Sequence, residues 1–114
     1  MNKEIWISYN HKKVKIKVED CNLFHKFKGL MFTLRERAKN LLFDFNYKSG
    51  IAIHSFFVFY NFFALWIDDK NRVVYAKKIR PFSCHVSSKI PVKRLVEIPI
   101  NKKNFEILKE LKLK

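Results

Sequence analysis

The sequence predicts a small, mainly β domain with minor α content: an α+β chain built as a barrel-like antiparallel sheet, with one helix after the first hairpin and another at the C-terminus. Three observations lead there. Residues 4–18 alternate apolar and polar side chains with period two. Nineteen consecutive residues, Ser49 to Ile67, carry no formal charge and are rich in Phe, Ile, Val, Tyr and Trp, the composition of buried strands. Two segments, beginning near Asp20 and near Asn104, switch to apolar spacings of three and four. At 114 residues, with only Gly29, Gly50 and three prolines, the chain reads as a single domain, 1–114, without a linker or a repeat.

The elements follow in order. Ile5 and Ile7 alternate with Trp6, and Val14, Ile16 and Val18 alternate with Lys13, Lys15 and Lys17. This predicts two strands joined by a turn at Tyr9-Asn10-His11, with the lysines on a solvated face. From Asp20 onward, Leu23, Phe24, Phe27, Leu30 and Met31 share one helical face, with Asp20 or Asn22 as a cap and an end near Phe32. Thr33 to Asn40 is charged and polar enough for an exposed helical turn or loop.

Leu41 to Phe45 predicts a short strand and Asn46 to Gly50 a turn. The uncharged run then divides at Asn61 into strands at 52–59 and 63–67, and a turn at Asp69 to Asn71 returns the chain along Val73 to Lys77. Residues 78–93 carry Pro81 and Pro91 and predict irregular structure. Leu95 to Ile98 predicts a last strand, stopped by Pro99. The closing helix, about 103–112, has Asn101 or Asn104 as its cap and an apolar stripe of Phe105, Leu108 and Leu111 with Ile107. So short a helix is unstable in isolation and must dock on the sheet or a partner.

A membrane-spanning reading of Ser49 to Ile67 competes on length, because about 17 to 25 apolar residues span a bilayer. Composition decides against it: His54, Ser55 and Asn61 interrupt the run, and Asp68-Asp69-Lys70-Asn71-Arg72 makes a turn into another apolar stretch. No membrane span is expected. The N-terminal residues lack the uninterrupted apolar stretch of roughly 7 to 15 that an export signal needs, and the expected location is cytoplasmic.

The formal net charge is +14, with 24 Lys and Arg against 10 Asp and Glu. Such a surface attracts nucleic acid, anionic lipid or acidic protein whatever the fold. Nineteen of the basic residues are Lys, scattered in runs no longer than two, whereas specific phosphate and base recognition favours Arg forks. The expectation is therefore a solubilising coat, with weak non-specific nucleic-acid binding through surface Lys as the alternative.

Chemistry-bearing clusters are few. Cys21 with His25 and Cys84 with His85 are the soft-ligand pairs, but no C-x-x-C spacing accompanies them, so no metal and no cofactor are expected. Cys84, His85, His54 and Asp68 have the residue types of a nucleophilic group, yet no elbow, oxyanion turn or phosphate loop surrounds them. No catalytic residue is named. His54, a polar ring inside the most apolar strand, and Arg80, at the start of the irregular segment, are the candidate pocket residues.

Gly29-Leu30-Met31-Phe32, Leu42-Phe43, Ile53-His54 before Phe56 to Phe59, Leu65 to Asp68 before Val73-Val74, Arg80-Pro81-Phe82 and Leu95-Val96-Glu97-Ile98-Pro99 stand in an order and spacing that resembles the family catalogued as domain of unknown function 192, or uncharacterised protein family 0127. The likeness covers about residues 14–99. It implies a compact β-rich, barrel-like domain with one helix after the first strands, and no established activity. The chain departs from the family pattern at Thr33, Asn61 and Phe63, and His54 and Arg80 are the matching polar positions that remain. The resulting functional expectation is a small soluble binding or structural module, with a basic nucleic-acid-associated protein as the alternative.

Overall fold

The computed structural model describes residues 2–20, 33–49, 52–53, 58–83, 86–87 and 91–113. β1 (Asn2–Tyr9) and β2 (Lys12–Asp20) form an antiparallel hairpin paired along its whole length, from Asn2↔Glu19 to Tyr9↔Lys12. The two-residue turn places Asn10 at φ 51° and His11 at φ 67°. Two successive left-handed residues match the right-handed twist of the flanking strands, and Asn tolerates that conformation well.

β3 (Leu41–Ser49), β5 (Phe62–Ile67), β6 (Val73–Ile79) and β8 (Val92–Pro99) join the hairpin in one six-stranded sheet of order β1-β2-β3-β8-β5-β6. Short strands β4 (Ala52–Ile53) and β7 (Val86–Ser87) pair separately. Among the described strand ladders the β2–β3 joint, Glu19↔Leu41 and Asp20↔Leu42, is parallel and the other ladders are antiparallel. A parallel joint needs a crossover, here the chain between Asp20 and Leu41. The helix predicted there falls on residues 21–32, which lie outside the described residues. Its sequel at 33–40 is a 3-10 turn, Arg35–Arg37, flanked by extended chain.

The sheet curls into a half-barrel because its two edges meet at one end. Ser8 N–H donates to Asn71 O at 3.0 Å, and Ser8 forms a parallel bridge with Arg72. The alternating pattern of the hairpin explains the curl: Ile7, Val14, Ile16 and Val18 turn inward and pack with Leu65, Ile67, Val96 and Ile98. The opposite face of β5 and β8 is buried as well, with Phe62, Ala64, Trp66 and Leu95 against Phe43, Val58 and Tyr60. Burial on both faces is why β5 reads as a continuous apolar run. Ser49 to Ile67 is accordingly not a spanning helix; it contributes β4 and β5 on either side of Asn61, and no described helix is long and apolar enough to cross a membrane.

Several boundaries shift. β8 opens at Val92, inside the segment predicted irregular, and includes Pro99, which pairs with Phe62, while β6 runs on to Ile79. β3 continues through Ser49, past the predicted turn, by re-pairing Ser49 with Val92 after an irregularity beyond Asp44. The predicted strand 52–59 is a strand at Ala52–Ile53, while Val58 and Phe59 are irregular and 54–57 lie outside the described residues. The C-terminal helix opens as a 3-10 turn, Lys102–Asn104, before α1 (Phe105–Glu110).

Asn101 is the cap: its side-chain oxygen accepts from Asn104 N–H at 3.1 Å, and its amide donates to Arg35 O at 2.8 Å. Asn104 is itself buried, donating to Pro99 O at 2.7 Å, so the inward positions run Asn104, Leu108, Leu111. That stripe leaves Phe105 63% exposed, outside the face predicted for it.

Candidate nucleic-acid interface

The hairpin that exports its polar side chains builds the most distinctive surface. In β-register, Glu4 stands beside Lys17, Trp6 beside Lys15 and Ser8 beside Lys13, all on the face away from the core. Trp6 is 54% exposed at the centre of this face. The Lys15 ammonium lies 5.9 Å from its ring centroid, within cation–π range, and 3.9 Å from the Glu4 carboxylate.

Two grooves flank Trp6. The larger, about 480 Å³, is formed where β2 meets the 38–40 segment and the start of α1. It sets Lys15, Lys17, Lys39 and Lys103 against Glu4 and Glu19. Lys39 and Glu19 pair at 3.4 Å, and Asn40 fixes the groove floor by donating to Lys17 O at 3.0 Å while its own carbonyl accepts Glu19 N–H at 2.8 Å. The smaller, about 300 Å³, lies where the β5–β6 turn reaches β1, and Trp6 itself lines it with Ser8, Lys13, Lys70, Asn71 and Arg72.

That turn is held rigidly. Asp68 Oδ1 accepts the backbone N–H groups of Lys70 and Arg72, each at 2.9 Å, and its Oδ2 accepts Arg72 Nε–H at 2.8 Å. Burial pushes the Asp68 carboxyl upward, but these amides and the guanidinium hold it below the ordinary carboxylate range. Arg94 reaches from β8 to donate to Asp68 O at 2.7 Å and to the Asn71 side chain. Asn71, at φ 61°, takes the left-handed position of the turn. The β5–β6 turn thereby presents Lys70 and Arg72 to the Trp6 face, and Asp68 is committed to the turn.

A different kind of polar site lies in the sheet. Glu97, on β8, is 6% exposed between Leu41 on β3 and Ala64 on β5. Burial pushes its carboxyl up to about 8, so it carries its proton at neutral pH. The Tyr60 hydroxyl, hydrogen-bonded to Thr33 Oγ1, lies near enough to feel the Glu97 charge. Burial raises the Tyr60 hydroxyl, the Thr33 bond offsets part of that, and Glu97 raises it further.

Of the predicted pocket residues, Arg80 is exposed at the end of β6, where its carbonyl accepts Ser83 Oγ–H at 2.9 Å. His54 lies outside the described residues, as do Cys21, His25, Cys84 and His85. Among the described residues no group of three or more His, Cys, Asp and Glu is placed to hold a metal ion. Sequence reasoning found the lysine face but not Trp6 at its centre. The signal was present, since Trp6 is the large aromatic on the polar side of an alternating strand.

No family model and no curated protein matches the chain. Two solved structures share its fold. One, described as a "putative transcription regulator" from Sinorhizobium meliloti 1021, superposes with a TM-score of 0.76 over 99% of this chain and 86% of that one, at 19% identity. The other, a protein of unknown function from Novosphingobium aromaticivorans DSM 12444, gives a TM-score of 0.77 over 99% and 80%, at 14% identity. At these identities the likeness defines a small α+β domain with a half-barrel sheet, and it brings no established activity with it.

Proposed function

We propose that the chain is a binding module without catalytic chemistry and that it takes nucleic acid on the outer face of the β1–β2 hairpin. The observation that carries this is the placement of basic grooves on both sides of an exposed Trp6, one with Lys17, Lys39 and Lys103, the other with Lys13, Lys70 and Arg72. Ammonium groups around an aromatic platform supply the two interactions a nucleic-acid strand uses, phosphate neutralisation and ring contact. A solubilising coat needs neither grooves nor a tryptophan, which is why the alternative function gains over a merely solvated surface.

Membership in domain of unknown function 192 is part of the same proposal. Its support is that Leu42-Phe43 lies near the start of β3, Leu65 to Ile67 ends β5 ahead of Asp68, Val73-Val74 opens β6 and Leu95 to Pro99 ends β8. The test of function is anisotropy of a labelled oligonucleotide titrated with the protein across salt. Four or five phosphate contacts give a log–log slope of about −3. Weak binding that is flat in salt would overturn the reading.

A further inference from the structure

We infer that the strand this face takes is single-stranded, with an unstacked base lying on Trp6 and its neighbouring phosphates on the lysines at either side. The inference rests on the nucleic-acid reading above and narrows it to one substrate class. A duplex keeps its base faces covered, so an aromatic ring standing out from a β-ribbon gains little from it. A single strand offers a free π-face at every nucleotide.

The geometry favours the open strand in three ways. Trp6 projects from the middle of a paired ribbon, with backbone bonds on a regular register beneath it, so the ring is presented on a firm base. Lys13, Lys15 and Lys17 recur at every second residue of β2, spaced about 6.6 Å apart. That places successive ammonium groups along a path that an extended phosphate chain can follow. The path also has two ends: Lys70 and Arg72 in the smaller groove, Lys39 and Lys103 in the larger. One base contact, at Trp6, is therefore flanked by phosphate contacts along a line across the hairpin. The scarcity of side chains with bidentate base-reading geometry on this line predicts tolerance of sequence.

The chain carries its own reporter. Trp66, its other tryptophan, is wholly buried in the core, so a ligand at the hairpin changes the emission of Trp6 and leaves that of Trp66 in place. The experiment titrates the protein at low salt with oligodeoxythymidylate and, separately, with a hairpin duplex of equal charge, following tryptophan emission and, in parallel, anisotropy of the labelled nucleic acid. The single strand is expected to quench Trp6 and to bind at least several-fold more tightly than the duplex. Trp6→Ala is expected to weaken single-strand binding about 10-fold or more, with Trp6→Phe recovering most of it. Duplex binding of equal strength, with unquenched Trp6 and an unaffected Trp6→Ala, overturns the single-strand inference while leaving the basic face as a nucleic-acid surface. Failure of both nucleic acids to bind overturns the two together.

Discussion

The β5–β8 pair and the outer face of the β1–β2 hairpin handle charge in opposite ways. In β5 every side chain is buried, and β8 admits one carboxyl, Glu97, which keeps its proton because burial disfavours the anion. On the hairpin, the alternation that sends Ile7 and Ile16 into the core sends Trp6 and three lysines of β2 into solvent. Stability is concentrated where both faces are covered. Recognition chemistry is concentrated where one face is free, so the two can be altered separately.

Cutting into the inner pair should give the largest change in stability. Trp66→Ala removes a fully buried ring tilted at 43° against Tyr75, their centroids 5.2 Å apart, and is expected to cost about 3–5 kcal/mol in denaturant unfolding. An undiminished midpoint would contradict the placement of Trp66 in the core.

Glu97→Gln comes next, and its sign is opposite. A carboxyl protonated up to about 8 in the folded protein, against 4.5 for an exposed group, makes stability fall as pH rises through that window. Between pH 4.5 and 7 the loss amounts to about 3 kcal/mol. The amide variant, having no proton to lose, should be flatter in pH and more stable at pH 7. Equal slopes for both proteins in urea melts at pH 5 and pH 8 would show that Glu97 does not titrate as described.

Asn101→Ala removes the helix cap and the bonds to Arg35 O and Ala38 O, an expected loss of about 1–2 kcal/mol. It should also expose Leu108 and Leu111 to faster hydrogen exchange in the helix. At the other end of the scale, replacing Lys13, Lys17 and Lys103 with Gln should leave unfolding within about 0.5 kcal/mol, because exposed, weakly paired lysines contribute little to folding. A stability loss comparable to that of Asn101→Ala would erase the distinction between the two regions.

The hairpin was legible because a strand with one wet face writes its orientation into successive residues. Ile7, Val14, Ile16 and Val18 could be assigned inward, and the lysines outward, without knowing their partners. Asn61 likewise marked the start of β5. Pairing between distant segments left weaker marks: β4 and β7 are two residues each, too short for any period, and their match depends on how the rest of the chain folds. Apolar character alone places Phe105 on the helix stripe, but buried Asn104, bonded to Pro99 O, takes the inward place. Glu97 went unnoticed as a buried acid because burial on both faces of β8 is set by β3 and β5. The clue was a lone acid between Val96 and Ile98. Arg80, one of the two predicted pocket residues, is exposed at the end of β6.

The most direct test of the account is the salt dependence of single-strand binding for the wild-type chain and for the Lys13→Gln, Lys17→Gln, Lys103→Gln variant. Three lost phosphate contacts should reduce the log–log slope by about 2, with the unfolding midpoint unchanged. An identical slope for both proteins would mean that the outer face of the hairpin does not hold the strand.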